Sequence, residues 1–211
     1  MKLAFFASHG GSSMKSIFNA CQDGFLVAAP VVCISNNGQS EALRWAKEKG
    51  LLAVHASGKT HPSPDDLYHE ILGHLTDNNV THIVLSGYMR MIDERIVKRF
   101  ENKILNIHPA LLPKFGGKGM YGINVHQAVI DSGETETGAT IHLVNDKYDE
   151  GPIVAQAKVS VYPSDTPEEL RERVSEIEGP LYIAVLKRVI SGDIDLDRIS
   201  SGTQKYKVLS L

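Results

Sequence analysis

Asn106 and His108 stand two residues apart in "ILNIHPALLPKF" (104–115), an apolar run that ends at a proline. On a strand, residues i and i+2 leave from the same face, so the carboxamide and the imidazole would project together. They would do so just where Pro109 ends the pairing. A neutral amide beside an imidazole suits the oxyanion that develops during acyl transfer. Prolines 109 and 113 restrict the backbone that follows and would hold the pair in place. The plain alternative is that both side chains only satisfy backbone groups near a turn.

Two other stretches could serve the same chemistry. "HGGSS" (9–13) separates an apolar run from a helical pattern. Backbone N–H groups at a helix N-terminus bind anions, and glycine lets a phosphate come close; a tight turn would use the same residues. Neither GxGxxG nor GxxxxGK[ST] occurs, so no nucleotide cofactor is specified. "VNDKYDEGP" (144–152) joins two strand patterns through an acidic segment. It is either a solvated turn or a device that brings Asp146 or Asp149 to His108, where a carboxylate favours imidazolium and orients the ring. "HEILGH" (69–74) spaces its histidines five apart, off a common helical face, so it is not a zinc motif. "NVT" (79–81) matches a glycosylation sequon by pattern only.

The elements that must position these groups alternate along the first half. Apolar runs at 2–8, 25–35, 51–56, 81–87 and 104–108 predict strands, and helical patterns at 14–24, 40–50, 64–79 and 93–102 lie between them. That rhythm predicts an α/β fold: a doubly wound, Rossmann-like, mostly parallel sheet with helices on both faces. Such sheets bind ligands at the carboxyl ends of their strands. After residue 110 the pattern changes to a glycine-rich loop (113–124), a short helix, and two strands (137–146 and 152–162) that read as an antiparallel C-terminal addition. The longest helix spans 164–192, with Thr166 and Glu169 at capping-box spacing, Pro167 at the first helical position and Pro180 placed to kink it. One catalytic domain over 1–192 and a loosely attached C-terminal tail, 193–211, are expected.

The 211 residues are 42% hydrophobic, enough for a sizeable core, and carry a net charge of −3, which gives no general attraction to nucleic acid or membrane. Cys21 and Cys33 form neither a disulfide framework nor a metal-ligand spacing, so no metal is expected. "MKLAFFASHGG" is too short for a signal peptide, and no apolar stretch has membrane-spanning length. A cytoplasmic protein, monomer or homodimer, is the expectation.

"GYMRMI" (87–92), "NIHPALLPKF" (106–115), "TIHLVNDKYDEGPIVAQAKV" (140–159) and "EGPLY" (178–182), in that order, resemble the glycinamide ribonucleotide formyltransferase family of purine biosynthesis. The resemblance runs from residue 2 to about 192. It implies transfer of the formyl group of 10-formyltetrahydrofolate to the glycine amine of 5-phosphoribosylglycinamide, directly, with no covalent enzyme intermediate and no metal. Asn106, His108 and Asp149 would be the catalytic set, with Asn106 and His108 on the oxyanion and Asp149 raising the His108 pKa. Gly11, Ser12 and Ser13 would cradle the substrate phosphate, and Glu178 would accept from the glycine amine or the ribose. The folate would lie against Met89, Arg90, Met91 and Ile92, against the loop from Asn145 and Asp146 to Asp149, and beside Asn106, with Arg90 a candidate for its anionic tail.

The chain departs from the family pattern in places. Ser13 stands where the phosphate turn usually has Asn, the loop at 116–124 is longer than in shorter members, and "SPDD" (63–66) replaces a region where relatives offer Arg, leaving Lys59 as the nearest base. Among enzymes of the same cosubstrate, formyltetrahydrofolate hydrolase would carry a regulatory domain before a first strand that here begins at residue 2. The methionyl-tRNA enzyme would add a basic nucleic-acid-binding domain, and a sugar-amine formyltransferase shares the same catalytic logic. A nucleotide-binding Rossmann module would explain the first turn but not the polar strand end.

Overall fold

The computed structural model describes residues 1–211. The strand order is third, second, first, fourth in the first half of the chain and sixth, seventh, eighth in the second. The chain divides into two compact units, Met1–Leu105 and Asn106–Leu211.

In the first unit, β1 (Lys2–Phe6), β2 (Ala29–Ser35), β3 (Leu52–His55) and β4 (His82–Leu85) alternate with α1 (Ser12–Gln22), α2 (Glu41–Glu48), α3 (Pro64–Asp77) and α4 (Glu94–Arg99). The pairs β1–β2, β1–β4 and β2–β3 are all parallel; Phe5, for example, lies opposite Cys33 on one side and Val84 on the other. Leu3 to Phe6 are fully buried, which is why β1 reads as an unbroken apolar run rather than an alternating one. Helix starts follow side-chain chemistry. Ser40 accepts from Leu43 N–H, and Ser63 accepts from Asp66 N–H ahead of a first-turn Pro64.

The second strand is shorter than its apolar run. Phe25 and Val27 are 68% and 79% exposed, because pairing with β1 begins only at Lys2 opposite Ala29; before it the chain turns onto α1, with Leu26 buried and its N–H donating to the Ala20 carbonyl (3.0 Å).

The strand β5 (Ile104–His108) straddles the division. The second unit then builds α5 (Ile123–Asp131), β6 (Glu136–Leu143), β7 (Ile153–Ser160), α6 (Pro167–Ile190), α7 (Leu196–Ser200) and β8 (Lys207–Val208). The β6–β7 pair is antiparallel, as the hairpin reading expects, with a register shift between Ile141 and His142. Thr166 and Glu169 form the full capping box of α6, and the helix runs on through Pro180. The tail is tied down rather than loose. Its β8 pairs in parallel with β7, Leu209 N–H donates to the Gln156 carbonyl (2.8 Å), and Lys207 bridges Asp193 (2.8 Å). No helix is long and apolar enough to cross a membrane.

Candidate active site

In the second unit a cluster forms around the Asp149 carboxylate. His108 Nδ1 lies 3.5 Å from Oδ2, and His142 Nε2 lies 3.5 Å from Oδ1. Gly117 N–H donates to Oδ2 at 3.0 Å, so the long glycine loop touches the site directly. Asn106 and His108 do leave β5 together: the Asn106 amide meets His142 Nε2 at 3.0 Å while His108 turns to Asp149. The sequence-predicted trio is thus assembled, and His142 is an unforeseen fourth member.

Hydrogen bonds fix the protons. His108 Nε2 is 2.7 Å from the Phe115 carbonyl oxygen, which can only accept, so Nε2 carries a proton. His142 Nδ1 likewise donates to the Leu143 carbonyl (2.9 Å), which leaves its Nε2 lone pair to accept from Asn106. The second N–H of the Asn106 amide is then a spare donor. On a neutral His108, Nδ1 is the basic nitrogen and it faces a carboxylate.

Burial pushes the His108 imidazole below its ordinary pKa; Asp149 and the Phe115 carbonyl pull it upward, and His142 pushes it further down. Asp149 therefore acts in the expected direction, but for a side chain only 3% exposed burial wins. Burial pushes the Asp149 carboxyl up, yet the neighbouring His142 and His108 rings and the Gly117 N–H together hold it below the ordinary carboxylate value. The resting pair is a carboxylate beside a neutral imidazole.

Backbone conformation points to the same place. Four non-glycine residues have positive φ: Asn79, Asn102, Phe115 and Asp149. Asparagine and aspartate tolerate this region, whereas Phe115 at φ 57° holds a strained conformation of order 1–3 kcal/mol; it and Asp149 (φ 56°) both lie at the site. Those two residues are the ones that flank His108.

Glu178 lies half-buried on α6, and Asn145 and Asp146 open the β6–β7 loop, where the Asn145 side chain accepts from Lys147 N–H (3.0 Å). The remaining predicted residues belong to the first unit. Gly11 caps α1 at φ 64° with no side chain of its own; Ser86 Oγ accepts from Met14 N–H (3.1 Å), the N–H groups of Ser12 and Ser13 precede it, and Ser13 Oγ is buried without a partner. An open helix N-terminus with an orphaned hydroxyl is a fitting cradle for an anion. Ser8 holds the Met89–Ile92 segment: its Oγ accepts from Met89 N–H (2.8 Å) and donates to Asn36 (2.5 Å). Met89, Arg90 and Met91 are exposed.

Residues 1–186 match the model of the formyl transferase family, and the chain belongs to that family. A chloroplastic phosphoribosylglycinamide formyltransferase of Arabidopsis thaliana is 42% identical over 186 residues, covering 88% of this chain and 64% of that protein. The phosphoribosylglycinamide formyltransferase of Haemophilus influenzae is 35% identical over 195 residues, covering 92% and 90%. Among solved structures, a glycinamide ribonucleotide transformylase from Symbiobacterium toebii superposes with a TM-score of 0.83 at 30% identity, covering 91% of this chain and 88% of that one. The chain spans 64% and 60% of the length of the two chloroplastic relatives, from Arabidopsis thaliana and Vigna unguiculata.

Proposed function

We propose that this protein transfers the formyl group of 10-formyltetrahydrofolate to the glycine amine of 5-phosphoribosylglycinamide, a step of de novo purine biosynthesis. The observation that carries the reading is a neutral, buried His108 whose basic Nδ1 faces the Asp149 carboxylate, next to an Asn106 amide with a spare donor, in a chain of the formyl transferase family.

The amine attacks the formyl carbon and a tetrahedral intermediate forms, its oxygen negative and its nitrogen positive. Asn106 donates to the oxyanion. His108 Nδ1 takes the proton of the attacking nitrogen, and Asp149 stabilises the imidazolium as it appears. The proton passes to N10 of the folate as the C–N10 bond breaks, leaving formylated amine and tetrahydrofolate. The low resting pKa of His108 serves this cycle, since only the neutral ring can accept. Gly11, Ser12 and Ser13 bind the ribonucleotide phosphate, and Glu178 its amine or ribose. Met89–Ile92, Asn145 and Asp146 border the folate, with Arg90 toward its anionic tail. The catalytic part is residues 1–192, with 193–211 a C-terminal tail. The protein acts in the cytoplasm as a monomer or homodimer, in keeping with two free cysteines.

Absorbance-monitored release of the folate product from a 10-formylfolate donor, with and without the ribonucleotide, tests the reading. Release that requires the ribonucleotide supports it. Equal release without it makes the protein a hydrolase, and no release in either case removes the enzymatic reading.

A further inference from the structure

The Phe115 carbonyl decides which nitrogen of His108 is free, yet Phe115 sits at the end of a loop. What holds that loop is a polar pair inside the β6–β7 hairpin. Thr140 and Gln156 face each other in the strand register, and both are buried, at 0% and 6% exposure. Thr140 Oγ donates to the Ala110 carbonyl (2.6 Å) and accepts from Leu112 N–H (3.0 Å) and from Gln156 Nε2 (3.0 Å). Gln156 Nε2 also donates to the Leu112 carbonyl (2.9 Å). The hydroxyl therefore uses its one proton and both lone pairs. Ala110 and Leu112 are gripped through backbone atoms, five and three residues before Phe115.

The rest of the inner face of β6 fits the same purpose. Gly138, Thr140 and His142 follow at alternate positions. A β-carbon on Gly138 would lie 1.9 Å from the Ala157 carbonyl oxygen and 3.0 Å from Leu111 Cδ2, so glycine lets both the β7 backbone and the loop close onto the strand. Two positions beyond Thr140, His142 meets Asn106. The same strand thus seats the loop at one end and the catalytic amide at the other.

We infer that Thr140 and Gln156 are positioning residues, which clamp the 110–115 segment so that the Phe115 carbonyl stays on His108 Nε2 and Nδ1 remains the basic nitrogen. The hydrogen bond made by one ring nitrogen sets the role of the other. A loose loop would free Nε2 and let the neutral ring adopt its other tautomer, with Nδ1–H on Asp149 and no base toward the reacting amine. Asp149, His142 and His126 are the titratable groups acting on the ring, and none of them fixes Nε2. The functional consequence rests on the formyl-transfer reading; the tautomer does not.

Nitrogen-15 NMR of His108 at a pH where the ring is neutral separates the two. The wild-type protein is expected to give the Nε2–H pattern. Thr140→Val keeps the shape and removes the hydroxyl; it should shift the pattern toward Nδ1–H and lower kcat about 10- to 100-fold with little change in KM. Thr140→Ser should restore both. A folded Thr140→Val protein that keeps the wild-type His108 pattern overturns the inference, even if its rate falls, since the loss would then be merely structural. If Thr140→Val does not fold, Gln156→Met carries the test with the same readout, and an unchanged pattern there overturns it equally. Because the spectra need no substrate, failure of the clamp and failure of the proposed reaction are told apart.

Discussion

Gly151 lies two residues beyond Asp149, where the returning chain passes under the end of β6. A β-carbon there would stand 1.7 Å from the Leu143 carbonyl oxygen and 3.5 Å from His142 Nδ1. Ordinary contact starts near 3.4 Å, so Gly151→Ala must open this turn by about 1.7 Å (3.4 minus 1.7). The obstructed oxygen is the one that accepts from His142 Nδ1 at 2.9 Å, so one methyl group disturbs both sides of the cluster: His142 through its anchor and Asp149 through the chain. A catalytic group displaced by about 1 Å costs on the order of 100-fold in rate. Gly151→Ala should therefore lower kcat about 100-fold, while circular dichroism keeps the wild-type secondary structure, because the change falls in a loop. The assay is steady-state folate release in the presence of saturating ribonucleotide. A folded variant within threefold of the wild-type rate would refute the claim that the carboxylate and the two imidazoles must keep their spacing.

Other expectations follow from the same geometry. Asp149→Asn removes the upward pull of the carboxylate, so the His108 titration should move to lower pH and turnover should fall by about 100-fold or more; an unmoved titration would take Asp149 out of the catalytic set. In Gly11→Ala a β-carbon at φ +64° would sit 3.1 Å from Ala42 Cβ and Met14 Cε. That strain should raise KM for the ribonucleotide about tenfold with kcat less affected, a loss of ~1.4 kcal/mol of binding, and an unchanged KM would show that the turn does not hold the phosphate. Burial, then Arg171 and His108, push His126 from 6.5 to about 4, and its Nδ1 is buried without a partner. Because the folded value is depressed, its stabilisation is complete above about pH 6.5 and is lost as pH falls toward 4, ~3 kcal/mol in all. Urea unfolding of His126→Gln should show a shallower loss of stability across that window than wild type; equal slopes would contradict it.

The first half of the fold was legible because β1, β2 and β4 carry buried apolar runs and several helix starts carry their own signal, as at Ser40, Ser63 and Asp93. Phe25–Ala28 misled because apolar composition does not show whether a neighbouring strand reaches that far. The two-residue β8 has no periodicity to read; its pairing depends on where β7 ends up. At the site, Asn106 and His108 were visible from spacing alone, and the 144–152 segment offered Asp146 or Asp149, between which only the family resemblance chose Asp149. His142 was hidden by the alternation of "TIHLVND", in which it reads as one more polar position. The register shift between Ile141 and His142 is a property of the paired hairpin, and a single strand does not display it. Phe115 was invisible for a similar reason: its contribution is a backbone carbonyl set by φ, and side-chain type carries no trace of that.

The central claim is that the formyl group moves directly to the ribonucleotide amine at the Asn106–His108–Asp149 cluster. The most direct measurement follows a carbon-13 formyl label from 10-formyltetrahydrofolate through one turnover, by mass spectrometry of every product. The label is expected on the glycine nitrogen of the ribonucleotide, with none in free formate and none retained on the protein. Label recovered as formate, or bound covalently to the chain, would contradict it.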